Sequence, residues 1–477
     1  MTFTSINFLL FFPLILILYH FVSIKQKSLF LLIVSYLFYL NVKPIFVFLL
    51  IGVTISTFIL TRLIEVQKID SKKIFYMRLN IFLVLLPLLF FKYFTVINTE
   101  LINYLQIYSM NWPLPEMKFM LPIGISFYTF MAIGYTIDVY NEEVLAEPSI
   151  VSVALFISFF PIILSGPIER AGNILPQFKK LNNITKLNLI NGSKLMLWGY
   201  FMKLCVADRL GIYIDTVFNN FTFQNGNSLA LASVLYPFQL YADLGGYSLI
   251  AIGTSKCLGI NVIPNFNRPF FSTSMSDLWR RWHMSLIQWL TDYLYTPLVF
   301  KLRSKKMIGI VIALMLTFTI SGLWHGASIV FLVWGIVQGV YLSFEAVTKK
   351  GKSKVKQKFN LDKNRFYIFL SIILTFILFT FSQIFAKSNN INDAMIIIEK
   401  IVFQRGALFL DPTSLGYGLL FLFVLLFKDF KDEFFNGKVE FYENKNITIR
   451  HISYAITIAT IISMGVLDSG EFIYFKY

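Results

Sequence analysis

Residues 307–345 decide the fold class of this chain, because they form an apolar stretch that reads MIGIVIALMLTFTISGLWHGASIVFLVWGIVQGVYLSFE. About 20 apolar residues cross a hydrocarbon core of about 30 Å, so this stretch is long enough for two membrane passes. Small polar residues interrupt it at Ser321-Gly322. We therefore expect two helices, 307–322 and 324–345, with the turn between them at that interruption.

Lysines and arginines lie at both ends of this stretch, four at positions 301–306 and eight at 349–365. Loops rich in Lys and Arg stay in the cytoplasm, so both ends are expected there and His325 is expected away from the cytoplasmic surface. The same rule puts the N-terminus outside. The first apolar run, 6–22, follows no Lys or Arg and precedes no small-residue cleavage site, so a retained helix is predicted rather than a removed signal peptide.

The whole chain has the composition of a membrane protein, since 56% of its 477 residues are hydrophobic and 14% are charged. We predict an all-α polytopic protein, a bundle of about 10–12 transmembrane and re-entrant helices that forms one membrane-embedded domain over residues 1–477. Besides those named above, the expected membrane segments are 28–42, 44–64, 79–97, 119–140, 150–168, 366–386, 413–427 and 449–467.

The net charge of +16 does not indicate a nucleic-acid surface, because the basic residues fall in short loops between apolar runs. The two cysteines, Cys205 and Cys257, lie in apolar surroundings without a Cys-x-x-Cys pair or histidines at zinc-ligand spacing. They are interpreted as packing residues. The chain also lacks a Gly-x-Ser-x-Gly elbow and a phosphate-binding loop, so neither a serine hydrolase nor an ATPase is indicated.

Segment 276–297 is predicted as one amphipathic helix with an aromatic face and a polar face. The aromatic face comprises Trp279, Trp282, Leu286, Trp289 and Tyr293, and the polar face comprises Asp277, Arg281, Ser285, Gln288 and Asp292. A helix lying in the membrane interface explains the tryptophans and the charges, but it explains His283 less well. Two roles stay open for His283, a structural hydrogen bond or a direct part in the site.

His325 is the stronger candidate for chemistry. Placing an ionisable ring inside a membrane segment costs free energy, so such a ring is interpreted first as functional. Its neighbours Gly322, Gly326 and Ala327 are small, so a ligand or another backbone can approach. No His or carboxylate lies three or four positions away, which disfavours a metal site. A catalytic base is favoured over a packed, hydrogen-bonded histidine.

Further polar groups lie within apolar sequence at 237–248, where Gln239, Tyr241 and Asp243 precede two adjacent glycines. For Asp243 we favour a buried polar network that orients the site over direct chemistry. The amphipathic segment 188–217 contains Asp208-Arg209, a candidate local ion pair. Three placements of this segment stay open: it spans the membrane, re-enters it or lies along its interface.

Several motifs resemble those of the membrane-bound O-acyltransferases, and among these the bacterial alginate O-acetyltransferase branch; teichoic acid D-alanyl transfer proteins are more distant relatives. The motifs are Leu121-Pro122-Ile123-Gly124-Ile125-Ser126-Phe127, Ser165-Gly166-Pro167-Ile168-Glu169-Arg170, Ala207-Asp208-Arg209, residues 280–286 (RRWHMSL), residues 292–298 (DYLYTPL), Gly322-Leu323-Trp324-His325-Gly326-Ala327 and Phe472-Ile473-Tyr474-Phe475.

The resemblance implies an acetyltransferase of the bacterial cytoplasmic (inner) membrane with His325 as the catalytic residue and His283 as the second signature histidine. It implies acetyl-CoA as the donor, no metal or prosthetic group, and an exported polysaccharide such as an alginate-like polymer or peptidoglycan as the acceptor. The acetyl group passes to the polymer itself or first to an extracytoplasmic partner protein of the SGNH type. The expected tunnel or supporting residues are Trp324, Asp243, Gln239, Tyr241, Arg280, Arg281, Trp282 and Ser285.

One motif departs from the branch pattern Asp-Phe-Ser-Gly-Tyr-Ser-Asp, since Gly245 replaces its first Ser and Leu249 its second Asp. This departure leaves the acceptor and the partner open. A transporter or flippase with buried His and Asp in its substrate or proton path is the competing hypothesis, although no matched halves are visible. A scaffold that recruits extracellular modifying enzymes is a third.

Overall fold

The computed structural model describes residues 2–41, 44–108, 119–435 and 442–467, and within these ranges it is helical and contains no strand. The predicted family motif at 472–475 lies outside the described residues. The helices are α1 (Ile6–Phe21), α2 (Lys27–Leu40), α3 (Phe46–Val66), α4 (Asp70–Ile107), α5 (Ile125–Tyr140), α6 (Ile150–Ser158), α7 (Phe160–Ile163), α8 (Ala171–Lys179), α9 (Lys186–Tyr200), α10 (Asp208–Asn219), α11 (Gly226–Cys257), α12 (Met275–Arg281), α13 (Met284–Leu290), α14 (Thr296–Lys301), α15 (Lys306–His325), α16 (Ile329–Lys358), α17 (Arg365–Lys387), α18 (Ile391–Phe403), α19 (Pro412–Phe434) and α20 (Ile447–Met464).

Among the described residues, seven helices are long and apolar enough to cross a membrane, namely α3, α4, α15, α16, α17, α19 and α20. Two shorter apolar segments, Ile6–Phe21 and Ile150–Ile163, add to them. The predicted all-α polytopic fold is therefore confirmed. Helix α18 was not predicted, because its apolar run is short and begins with polar residues.

The chain divides into two compact units, residues 1–196 with 250–263 and residues 197–249 with 264–477. The predicted single domain stays a prediction.

In the first unit, the motif at 165–170 closes a loop, because the buried Glu169 carboxylate accepts hydrogen bonds from the backbone N–H of Ile263 at 2.6 Å and the side chain of Asn173 at 2.9 Å. Gly124 has a φ of +79°, and a side chain there would collide with the Ile163 carbonyl, so the motif at 121–127 requires glycine.

In the second unit, α15 and α16 form a tight antiparallel hairpin in which two glycines face each other. A Cβ added at Gly322 would lie 3.1 Å from the Cα of Gly335 and would collide with the carbonyl of Phe331. The predicted turn at Ser321-Gly322 is therefore wrong. The glycine permits close helix packing instead of ending the helix, and α15 continues to His325.

The predicted continuous helix over 276–297 is also wrong, because the chain breaks between α12 and α13. His283 adopts a left-handed conformation with a φ of +46°, and a π-helical segment, Thr291–Tyr295, follows α13. Residues 264–268 supply the backbone partners of the break: Asn267 N–H donates to the Arg281 carbonyl and Met284 N–H to the Asn265 carbonyl, both at 2.8 Å. Tertiary hydrogen bonds thus replace helical ones there.

The start of α12 is fixed by a carboxylate from α16. Glu345 accepts hydrogen bonds from the backbone N–H groups of Met275 at 2.7 Å and Ser276 at 2.9 Å, while the Ser274 hydroxyl caps the N–H of Asp277. An anionic group at a helix N-terminus satisfies orphan N–H groups and complements the helix dipole. The position of α12 relative to the hairpin is thereby set.

Candidate active site

His283 and His325 line the same cavity in the second unit, which has a volume of about 50 Å³. A water molecule requires roughly 10–15 Å³ of such space, so the cavity holds a group of a few non-hydrogen atoms. Its walls are otherwise mostly aromatic and aliphatic: Tyr236, Leu240, Leu244, Trp279, Trp282, Leu286, Phe331, Trp334, Gln383 and Ala386.

His325 lies at the last position of α15 and is half-buried between two tryptophans. The centroid of its ring is 4.7 Å from that of Trp324 and 5.1 Å from that of Trp334, and both contacts are edge-on. Phe331 closes the cavity from α16, and its ring occupies the space that a side chain at position 326 would need. Aromatic packing on either side fixes the imidazole while its edge reaches the cavity.

His283 is buried at the break and is held by an amide. Its Nδ1 lies 3.2 Å from Oδ1 of Asn265, which also accepts a hydrogen bond from the Ser285 hydroxyl at 2.9 Å. Asn265 Nδ2 in turn donates to Ser248 Oγ at 2.9 Å. Because an amide oxygen only accepts, Nδ1 of His283 carries the proton and Nε2 the lone pair.

The electrostatic environment favours a neutral His283. Burial away from water lowers the pKa of His283 below its ordinary value, since charging the ring there has a desolvation cost. His283 lies outside the seven candidate spans, at the break between two short helices. Burial and the Asn265 contact together favour a neutral imidazole with one tautomer at the cavity.

A second buried polar chain holds the opposite wall. Trp279 Nε1 donates to Oε1 of Gln338 at 3.2 Å, and Nε2 of Gln338 donates to the Ser382 hydroxyl at 2.6 Å. These bonds connect α12, α16 and α17 behind the cavity. Trp282 completes this wall by packing on Phe379, with ring centroids 5.1 Å apart.

Helix α11 reaches the cavity through Tyr236, Leu240 and Leu244, four residues apart on one face. Of the predicted residues on this helix, Gln239, Tyr241 and Asp243 do not line the cavity. Gln239 is buried against Gly211, and the Tyr241 hydroxyl donates to Asp429 Oδ2 at 2.8 Å.

The Asp243 carboxylate pairs with a buried lysine. Lys203 Nζ lies 2.6 Å from Oδ1 of Asp243 and 2.6 Å from Oδ1 of Asp208. The network interpretation of Asp243 agrees with this geometry. Asp208-Arg209 is not a local ion pair, because Arg209 instead donates to the Met464 carbonyl at 2.7 and 2.9 Å.

The predicted arginines lie away from the cavity lining. Arg280 is exposed, and Arg281 bridges Asp277 at 3.1 Å and Glu433 at 2.9 Å. Ser285 acts through Asn265, and Trp324 packs between the two histidines, its ring centroid 6.5 Å from that of His283. Among the described residues, no group of three or more His, Cys, Asp or Glu side chains is arranged to hold a metal ion.

Sequence reasoning missed Asn265, Gln338 and Trp334. Asn265 and Gln338 are isolated amides without a recognisable pattern, and only their contacts show their function. Trp334 offered a weak signal, since it is an aromatic residue beside Gly335 in the second pass of the hairpin.

This chain is similar to known proteins over most of its length. The family model of the membrane-bound O-acyltransferases matches residues 139–386, which include both histidines. A probable alginate O-acetylase of Pseudomonas syringae pv. tomato is 32% identical over 83% of this chain and 74% of its own length. A peptidoglycan O-acetyltransferase of Helicobacter pylori is 30% identical over 66% of this chain and 62% of the relative.

A teichoic acid D-alanyltransferase of Streptococcus thermophilus is 29% identical over 64% of this chain and 74% of the relative. The resemblance predicted from the motifs is thus confirmed, and an enzyme is favoured over the competing transporter hypothesis. Enzymes of this family use an acyl donor. This multi-pass membrane protein belongs to the membrane-bound O-acyltransferase family and is an O-acyltransferase.

Proposed function

We propose that this enzyme transfers an acetyl group from acetyl-CoA on the cytoplasmic side to an exported or cell-wall polysaccharide, with His325 as the catalytic base. The observation that carries the proposal is that both signature histidines line one small, largely apolar cavity. Its volume of about 50 Å³ suits a two-carbon acyl group. The names of the alginate and peptidoglycan relatives support acetyl as the group and a polysaccharide as the acceptor.

The chemical step needs one proton acceptor beside the thioester. The acceptor oxygen attacks the acetyl carbonyl carbon, a C–O bond forms, and the C–S bond of the thioester breaks. His325 takes the proton of the attacking hydroxyl and passes it to the departing thiolate, so the protein is unchanged after each turnover. General base catalysis of this kind contributes about 10²–10⁴-fold to a rate.

His283 is assigned a positioning role in this proposal. Its imidazole ring, fixed through Asn265, packs beside the acetyl group and guides the approach of the acceptor, whose single hydroxyl proton goes to His325. The acceptor hydroxyl belongs to the polymer or to a serine of an extracytoplasmic SGNH-type partner. The proposed location is the bacterial inner membrane, with the N-terminus outside.

Purified protein in nanodiscs tests the donor. Wild type should release CoA thiol from acetyl-CoA, slowly alone and faster with a hydroxyl acceptor. His325→Ala should still bind acetyl-CoA but release thiol about 10²–10⁴-fold more slowly. Binding should weaken toward molar salt, where the Debye length falls to about 3 Å, because the donor's phosphates meet basic residues. If the wild-type protein neither binds acetyl-CoA nor releases thiol from it, the proposed donor is refuted.

The orientation is tested by single cysteines. Lys352, near the end of α16, and Asn389, just after α17, are both exposed. An impermeant thiol reagent added outside intact cells should label a cysteine at 389 and spare one at 352. The reverse pattern would overturn the proposed orientation.

A further inference from the structure

A second, wholly different cavity lies in the second unit. It has a volume of about 470 Å³ and is lined by ten aromatic and aliphatic side chains: Phe238, Phe270, Phe271, Ile372, Ile373, Phe376, Phe423, Leu426, Phe427 and Phe430. Nothing in the proposed acetyl transfer uses it. We call it the phenylalanine groove. We propose that the phenylalanine groove binds an acyl chain of an anionic phospholipid, whose phosphate lies at Lys431.

The walls of the groove belong to membrane helices. Ile372, Ile373 and Phe376 lie on α17, and the residues from Phe423 to Phe430 lie on α19, both of which are candidate spans. Phe270 forms the floor and is 7% exposed, whereas Phe423 and Phe427 form an open rim. A groove that opens laterally between spans is in contact with the bilayer, where its contents are hydrocarbon. Flat rings and branched aliphatic chains suit a flexible methylene chain by dispersion contacts.

The groove lies near one end of both helices. Its α17 residues are two to three turns from Arg365, where α17 begins, and its α19 residues are within three turns of Phe434, where α19 ends. An acyl chain in the groove therefore has its headgroup at the level of these helix ends, which is where a phosphate meets protein side chains.

Lys431 supplies the charge at this level. Its Nζ lies 5.6 Å from the ring centroid of Phe427, a groove residue, and 4.7 Å from that of Phe435. Its neighbours are already matched: Lys428 pairs with Asp432 at 2.6 Å, and Glu433 is shared between Arg268 and Arg281. Within the described part of the chain, Lys431 has no carboxylate within ion-pair distance. An ammonium at the mouth of an apolar groove complements a lipid that is anionic at its head and apolar in its tail.

Photo-crosslinking in nanodiscs tests this site. Trace phosphatidylglycerol or phosphatidylcholine carries a diazirine in the acyl chain, and adducts are mapped by mass spectrometry. We expect phosphatidylglycerol to label α17 and α19 at groove residues in a saturable manner, above the labelling of α20. Lys431→Gln should lower this labelling about fivefold, since one lysine near a charged headgroup contributes about 1 kcal/mol.

The matched control is Lys358→Gln. Lys358 also lies over a phenyl ring, that of Phe359 at 5.6 Å, at a helix end but beside no groove residue, so its loss should leave the labelling unchanged. Groove labelling no stronger than on α20, or equal labelling by both headgroups, would overturn the proposal. Labelling that appears only after a co-purified protein is removed would overturn it in favour of a protein partner. None of these results depends on acetyl transfer.

Discussion

The two signature histidines are held by opposite means. His325 ends a helix of the α15–α16 hairpin, where two glycines bring backbones together and aromatic edges flank the ring. His283 lies in a left-handed turn between two short helices, buried and hydrogen-bonded to an amide. The first position is set by packing within one hairpin, and the second by polar contacts from a distant loop.

This difference suggests how two histidines in one cavity have different roles, because their surroundings differ. We propose that the ring flanked by aromatic edges and half-exposed at the cavity acts as the base. A ring whose Nδ1 is committed to Asn265 and whose protonation is disfavoured by burial keeps one tautomer. We therefore assign proton transfer to His325 and orientation to His283. Two predictions test this division of roles, and two test the contacts that hold the hairpin and the break.

The largest effect is expected for His325→Ala. Loss of the base should reduce polymer acetylation and thioester turnover by about 10²–10⁴-fold, while the protein accumulates at its normal level. Acetylation is measured as ester content of the cell-surface polymer. Normal acetylation in the variant would remove His325 from the mechanism.

A smaller loss is expected for Asn265→Ala. Removing the amide takes the Asn265 hydrogen bond away from Nδ1 of His283, a cost of about 1–3 kcal/mol that corresponds to roughly 5–150-fold in rate if the ring loses its orientation. His283→Ala should be severe as well, and the double variant should be no worse than His283→Ala alone. Additive losses would show that Asn265 acts independently of His283.

The hairpin is tested by Gly335→Ala. A Cβ at this position would lie 3.1 Å from Gly322 Cα and would collide with the Phe318 carbonyl, so the helices must separate. Overpacking of this kind costs about 1–3 kcal/mol. Thermal unfolding in detergent should show the loss, together with reduced turnover. Gly351→Ala on the same helix meets no atom within 4 Å and is the matched control; equal destabilisation of both variants would contradict the packing argument.

The smallest effect concerns the two arginines before the break. Arg281→Gln removes two partly exposed ion pairs, to Asp277 and Glu433, each worth at most about 1 kcal/mol. A melting temperature lowered by about 1–2 °C is expected, with turnover nearly retained. Arg280→Gln, at an exposed position, should not change the melting temperature. If Arg280→Gln lowered the melting temperature as much as Arg281→Gln does, the ion pairs of Arg281 would not be what supports the break.

The spans were predictable because hydropathy is a local property, and most of them begin and end within a few residues of the expected positions. The break at His283 could not be predicted in this way, because it is caused by Asn265, which lies 18 residues away in a loop. Gly322 was taken for a helix breaker because its partner Gly335 lies on the other helix. Lys203 lies in the amphipathic segment 188–217, and only the fold brings it to Asp243. The histidines themselves were predicted as site residues from their position in apolar sequence and from their motifs.

The glycine contact between α15 and α16 has a consequence for how the protein is made. Gly322 and Gly335 are near neighbours along the chain, so closing this contact requires ordering only a short loop, whose entropy cost is small. Contacts of low sequence separation form early in folding. We expect the hairpin to assemble as a unit when it inserts, with His325 already in place, and the site to be completed later, when residues 264–285 dock onto it.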